Sequence, residues 1–307
     1  MLLIFFGIKS KKIMNVYIKR PIGGAWEWIL KGYAHAWLYH GVKPIFFNNF
    51  NDINSENYYL MIMDSDVNEQ SITFVEKSYK SIIFSSAKNF PEPWGSHPNF
   101  TCILSNKIID KLNSLNNVLK WTFCDTNNKY FAHWSNIKKI PLAFDSINYK
   151  QAKINTHYEY DICFVGGFAN NGFNEKISLI QSTLNSFNNS GLKCAFSVGN
   201  NISHDIENHI LNKSKICLNI HDKYQRELGL DTNERTFKSL GINGMLISDL
   251  VLDVINLFPQ VYCTNSNEEL VEKCKYLIGL DLESIKSQTR MYIDKNHSYI
   301  NRVNEMI

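Results

Sequence analysis

An α/β fold built on two parallel sheets follows from three features of the 307-residue sequence. Near its start, an apolar run, a glycine turn, a helical pattern and a second apolar run occur in close succession, the mark of a βαβ unit and so of parallel strands. A second series of the same kind opens at Tyr160. Between the two, residues 146–158 are polar and aperiodic, as an inter-domain linker is.

In the first series, residues 15–18 read as a strand, residues 20–24 as a turn, residues 25–39 as a helix stopped by Gly41, and residues 43–47 as the next strand. Met14 opens this series, and residues 1–13 are expected to be an extension ahead of it. The Gly23-Gly24 turn falls where the first loop of such a sheet meets its ligand crevice, or it is a tight turn with no ligand. It lacks G-x-G-x-x-G, which counts against a nicotinamide dehydrogenase. Residues 59–63 form a buried strand running into Asp64-Ser65-Asp66, whose carboxylates either stand at the crevice rim or cap the next helix. Further strands are expected at 81–86, 101–104 and 121–124, with a helix at 106–115. Residues 89–99 form a stiff loop rich in proline and aromatics. Glu92 and His97 lie within it, each a candidate general base toward an acceptor hydroxyl or part of a structural loop.

The second series begins with a strand at 160–165 that runs into Gly166-Gly167. Glycines there let backbone N–H groups approach a phosphate. A loop through Asn170 leads to a helix at 174–188, then a strand ending at Gly199-Asn200 and a short helix at 206–212. Ile216, Leu218 and Ile220 form a buried strand followed by a long polar loop. Thr232 or Asn233 is placed to cap a helix at 234–240, which Gly241 and Gly244 would end before a strand at 245–249. A helix N-terminus at the carboxyl end of a parallel strand is an anion site. Arg235, in the first turn, opposes the helix dipole. Its presence there makes sense if an anion such as a diphosphate lies between; the alternative is surface pairing with Glu234 or Asp231. Lys238 shares its face, and His221 and Arg226 flank the loop; each touches sugar or phosphate or is a solvated charge. A strand ending at Tyr262, a helix capped by Ser266 and a last helix at 282–294 complete the series.

Composition narrows the class. Hydrophobic residues make up 44% and charged residues 20%, the balance of a soluble globular protein. A net charge of +3 makes no case for dominant nucleic-acid binding. Seven cysteines are scattered without a CxxC, which argues against a zinc or disulfide framework and for a reducing cytosol. No apolar stretch approaches the length of a membrane span. A cytoplasmic protein is expected, with peripheral attachment to the inner face of the membrane left open.

Arg235-Thr236-Phe237, then Gly241, Gly244, a strand ending in Asp249, Leu257-Phe258, Val261-Tyr262 and Glu268-Glu269-Leu270 form an ordered series. With the closing His297-Ser298-Tyr299 and Arg302-Val303, it resembles the nucleotide-sugar half of GT-B glycosyltransferases. Within these it is closest to the group 1-like, spore-maturation (CgeB-like) branch. Pro141-Leu142-Ala143-Phe144-Asp145 resembles the segment that closes the acceptor domain there. The resemblance covers about residues 137–307. It implies a GT-B fold: two Rossmann-like parallel-sheet domains facing across a cleft, with the C-terminal helix crossing back to the N-terminal domain. Residues 1–150 would bind the acceptor, 151–288 the nucleotide sugar, and 289–307 would return to the first domain.

The activity so implied is transfer of a hexosyl or related sugar from a UDP-, GDP- or dTDP-sugar to a hydroxyl. The acceptor would be a surface glycan, a lipid-linked saccharide or a protein, and no metal or cofactor would be required. Arg235 would hold the diphosphate, assisted by Gly166, Gly167, Asn170 and Lys176. Gly199 and Asn200 would lie near the base, and His221, Arg226, Asn233, Glu234, Thr236 and Lys238 would complete the donor site. Asp64, Glu92 and His97 are the acceptor-side candidates. Asp64-Ser65-Asp66 also fits a metal-binding Asp-x-Asp, but so short a string recurs by chance. One departure stands out: the family commonly has a ribose-binding Glu where this chain has Lys238. That departure leaves a non-catalytic GT-B-like binding subunit as one rival. The other is a phage-type DNA glycosyltransferase acting on hydroxymethylated bases, whose donor domain has a similar Arg-containing helix followed by a strand.

Overall fold

Apolar runs joined by crossovers pair in parallel here in both halves of the chain. The computed structural model describes residues 14–21, 24–92, 95, 101–127, 129–149, 157–167, 175–200, 202–229 and 233–307. The expected extension at 1–13, His97 and Asn170 therefore lie outside the described residues. The first sheet holds β1 (Asn15–Lys19), β2 (Lys43–Phe47), β3 (Tyr58–Met63), β4 (Lys80–Phe84), β5 (Val118–Thr122) and β6 (Lys138–Lys139). Its order is β2-β1-β3-β4-β5-β6, all parallel. The second holds β7 (Tyr160–Gly166), β8 (Cys194–Val198), β9 (Ser214–Asn219), β10 (Leu246–Ser248) and β11 (Tyr262–Cys263) in the parallel order β11-β10-β9-β7-β8. This is the two-sheet GT-B arrangement that the sequence leads one to expect.

In each sheet the order reverses once, between β1 and β3 and between β7 and β9. Crevices open at such switch points, beyond the carboxyl ends of the strands. Those ends carry Lys19 and Asp64–Asp66 in the first sheet, and Gly166 and Asn219 in the second.

Two short segments join the halves. Helix α10 (Glu283–Asn296) stops at His297, and a new helix, α11 (Tyr299–Met306), packs on α1 (Ala25–Tyr39). Gly32 of α1 permits this, because a Cβ there would run into the Tyr299 ring. Phe144 lies at the junction: its N–H donates to His297 O (2.8 Å) and its carbonyl accepts from Tyr299 N–H (3.1 Å). Arg302 Nε donates to Pro141 O (2.9 Å). The two motifs around residues 141–145 and 297–302 thus bind each other. An apolar cluster continues from Tyr33 and Trp37 through Phe144 and Tyr299 to Phe237 and Phe258.

Four local expectations are corrected. Residues 101–104 form no strand: only a bridge joins Thr101 to Ala87, because β3 and β5 already occupy both edges of β4. The polar loop after β9 contains a helix, α6 (Lys223–Leu228), started by a reciprocal cap between Asp222 and Gln225. Gly241 does not end its helix. It lies inside α7 (Glu234–Ile242), where a Cβ would sit 2.7 Å from Phe144 Cδ1; Gly244, at φ 86°, follows the helix. The last expected helix ends later than 294 and is followed by the separate α11.

Candidate functional site

A cleft of about 1620 Å³ lies between the carboxyl edges of the two sheets and is lined from both. On the second-sheet side its centre is Arg235, in the first turn of α7. The guanidinium is pinned rather than solvated. Nε donates to Val165 O (2.7 Å), and Nη1 donates to Asn219 Oδ1 (2.8 Å) and Ile220 O (3.2 Å). Its Cζ lies 4.6 Å from the centre of the Phe164 ring, a cation–π contact. Burial pulls its pKa below the ordinary value, against the carboxylates of Asp222, Glu234, Asp249 and Glu207.

Gly166 has a role here that the sequence does not reveal. A Cβ on it would lie 2.7 Å from Arg235 Cζ and closer still to Nη2. The glycine is needed to make room for the guanidinium, whatever its backbone offers a phosphate.

Behind Arg235 runs a buried polar chain. Asn219, from the end of β9, accepts from Arg235 and donates from Nδ2 to Thr236 Oγ1 (2.8 Å). The same amide lies 3.3 Å from His221 Nε2, and His221 Nδ1 lies 2.7 Å from Asp249 Oδ1. A proton on Nδ1 satisfies both contacts, leaving Nε2 to accept from Asn219. Asp249 also accepts from the His221 N–H (2.8 Å) and pairs with Arg226 (3.5 Å). Burial would raise the Asp249 pKa, but His221 and Arg226 more than offset it and hold it below the usual carboxylate value. His221, Arg226 and Thr236 are absent from the cleft lining; through Asn219 and Asp249 they orient the residues that face it.

Lys238 is no solvated charge. Its Nζ lies 2.7 Å from Glu207 and 3.7 Å from Glu234. Burial alone would lower its pKa; the two carboxylates win and raise it. Glu207, on α5 (His204–Asn212), also lines the cleft and carried no signal in the sequence beyond a charge on a short helix. Lys176, on α4 (Glu175–Asn188), pairs with Asp222 at 2.9 Å. Gly167, Gly199 and Asn200 are exposed on the lining. Asn233 holds the N-cap position without a side-chain cap, and its buried Oδ1 has no hydrogen-bond partner among the described residues.

Across the cleft, Asp64 is committed to structure. It accepts from Ser86 N–H (2.7 Å) and Ser86 Oγ (3.0 Å), tying the end of β3 to the segment after β4, and burial raises its pKa. Asp66, two residues on, accepts from Met63 N–H (3.0 Å) through Oδ2 alone and lines the cleft. Burial raises its pKa too, against that hydrogen bond and Lys19. Glu92 is exposed and is not among the lining residues. Among the described residues, no group of three or more His, Cys, Asp or Glu is placed to hold a metal ion, and no helix is long and apolar enough to cross a membrane.

Residues 174–307 match a family described as Glycosyl transferase-like. The match is to that broad family and does not single out the spore-maturation branch. No curated protein matches the sequence. In fold, the chain is similar to AviGT4, a glycosyltransferase involved in avilamycin A biosynthesis, at 8% identity over 95% of each chain with a TM-score of 0.57. It is also similar to an alpha1,3-fucosyltransferase, at 11% identity over 96% of this chain and 90% of the other, with a TM-score of 0.52.

Proposed function

Taking as premise a GT-B fold whose residues 174–307 match a glycosyl transferase-like family, we propose that the protein is a glycosyltransferase. It moves a sugar from a nucleotide donor to a hydroxyl on a glycan, a lipid-linked saccharide or a protein. The observation that carries this reading is the guanidinium of Arg235, fixed in a cleft between two sheets at the N-terminus of α7. A departing nucleoside diphosphate needs pre-oriented positive charge, and a guanidinium held by three hydrogen bonds supplies it without reorganising. Glu234 and Glu207 offer the carboxylate acceptors for sugar hydroxyls that Lys238 lacks.

Asp66 is the acceptor-side carboxylate that this reading favours over Asp64 and Glu92. It takes the proton of the acceptor hydroxyl while that oxygen bonds to the anomeric carbon. The bond from the anomeric carbon to the phosphate oxygen breaks, and the nucleoside diphosphate leaves with the electron pair near Arg235. No metal is needed in this scheme. The scattered free cysteines fit a cytoplasmic enzyme.

A thermal-shift screen of UDP, GDP, dTDP and their sugars, run with and without EDTA, tests the donor site. One nucleotide should stabilise the protein equally in both conditions, and Arg235→Ala should abolish that shift. Unchanged binding by Arg235→Ala would end the assignment; loss with EDTA would end the metal-free scheme.

A further inference from the structure

On the first-sheet side of the cleft, three aromatic side chains converge from separate elements. Trp26 comes from the first turn of α1, Phe84 from the end of β4, and Phe123 from just past β5. The Trp26–Phe84, Phe84–Phe123 and Trp26–Phe123 ring centres lie 4.7, 4.8 and 6.0 Å apart. All three line the cleft and are only half-buried, while Trp121 beneath Phe84 is fully buried. Aromatic faces left open inside a concave site, beside a few polar groups, are what a ligand pocket presents. Asp66 is a polar group on the same side of the lining: Oδ2 is taken by Met63 N–H, and Oδ1 makes no hydrogen bond among the described residues.

We infer that this wall is the acceptor subsite and that it takes a pyranose stacked on Trp26 and Phe123, with a hydroxyl donated to Asp66. A sugar ring has the matching chemistry, an apolar face of C–H bonds rimmed by hydroxyl donors. Single-stranded nucleic acid also stacks on aromatic rings, but it needs a positive groove along its backbone. This wall carries Glu27, Asp64 and Asp66. The two cations among its described residues lie over other rings, Lys19 over Phe47 at 5.7 Å and Arg20 over Phe46 at 5.6 Å. The subsite rests on the proposed transferase reading, as the place of its second substrate.

Saturation-transfer NMR on the full-length protein tests it. The probes are methyl pyranosides of gluco, galacto, manno and N-acetylglucosamine type and an oligothymidine, with and without the nucleotide giving the largest thermal shift. At least one pyranoside should receive saturation, most strongly at its ring C–H groups. Trp26→Ala should weaken it by about tenfold or more, while Trp26→Phe should stay within about threefold. Phe123→Leu, which leaves α1 untouched, should also weaken it. The nucleotide thermal shift should be unchanged in all three variants, so a failed donor site and a failed acceptor wall give different results. Absence of transfer to every pyranoside, equal transfer to wild type and Trp26→Ala, or Trp26-dependent binding of oligothymidine alone would overturn the inference.

Discussion

Gly166→Ala should disable the donor site without touching a charge. The backbone at 166 is not in the left-handed region, so alanine is conformationally acceptable there and the effect is purely steric. The new Cβ would stand 2.7 Å from Arg235 Cζ and 2.9 Å from Nε. Restoring an ordinary separation of about 3.5 Å requires the guanidinium to move by roughly 1 Å. It cannot do so and keep its bonds to Val165 O at 2.7 Å and Asn219 Oδ1 at 2.8 Å. Each hydrogen bond to a charged group contributes about 1.5–3 kcal/mol, so losing both, with water replacing part of the loss at the cleft wall, costs about 3 kcal/mol. In a chain of this size that lowers Tm by roughly 5–10 °C. Thermal melts of Gly166→Ala, Arg235→Ala and the double variant, each with and without the stabilising nucleotide, measure it. In the Arg235→Ala background the glycine change should cost less than about 0.5 kcal/mol, since its clash partner is gone. Equal costs in both backgrounds would refute the claim that Gly166 exists to seat Arg235.

Two further outcomes are expected. Asp66→Asn should abolish sugar transfer yet keep the nucleotide thermal shift; because burial raises the Asp66 pKa, the rate should fall with acidification at a pH above the 3.8 of an ordinary Asp. Transfer by Asp66→Asn at the wild-type rate would return the base role to another group. Lys286, buried on α10 and donating to Ser214 O and Tyr158 Oη, has its pKa lowered by burial from 10.5 to about 8. Between those values the unfolded chain binds the extra proton, so stability should rise from pH 8 to pH 10, by up to about 3 kcal/mol. Denaturant titrations across that range should show the rise in wild type and not in Lys286→Met; parallel curves would show that Lys286 is not its source.

Much of the site can be read in the chain because it sits at strand ends. Gly166, Gly199 and Arg235 follow apolar runs or open a helix, and topology brings all such ends to one edge. Residues that act through a partner give no such signal. Asn219 is one polar residue closing a strand, and Glu207 is a charge on a short helix; only the fold shows that each meets a cation from α7. The loop at 89–99 stands out in the sequence for its aromatics, and its Phe90 lines the cleft, but Trp26, Phe84 and Phe123 come to the same lining from α1, β4 and the end of β5, three separate elements that only the fold brings together. Residues 101–104 look like a strand because apolar alternation is local, whereas strand pairing depends on whether a sheet edge is open.

The chain by itself determined two parallel sheets, their order of appearance and the place of Arg235 in the first turn of a helix of the second, since these depend on periodicity and turns within a few dozen residues. Only the tertiary structure decided what that cation leans on and what faces it. Hydrogen bonds from Arg235 to Val165, 70 residues away in sequence, and from Arg302 to Pro141, 161 residues away, depend on the packing of distant segments, which no local pattern records.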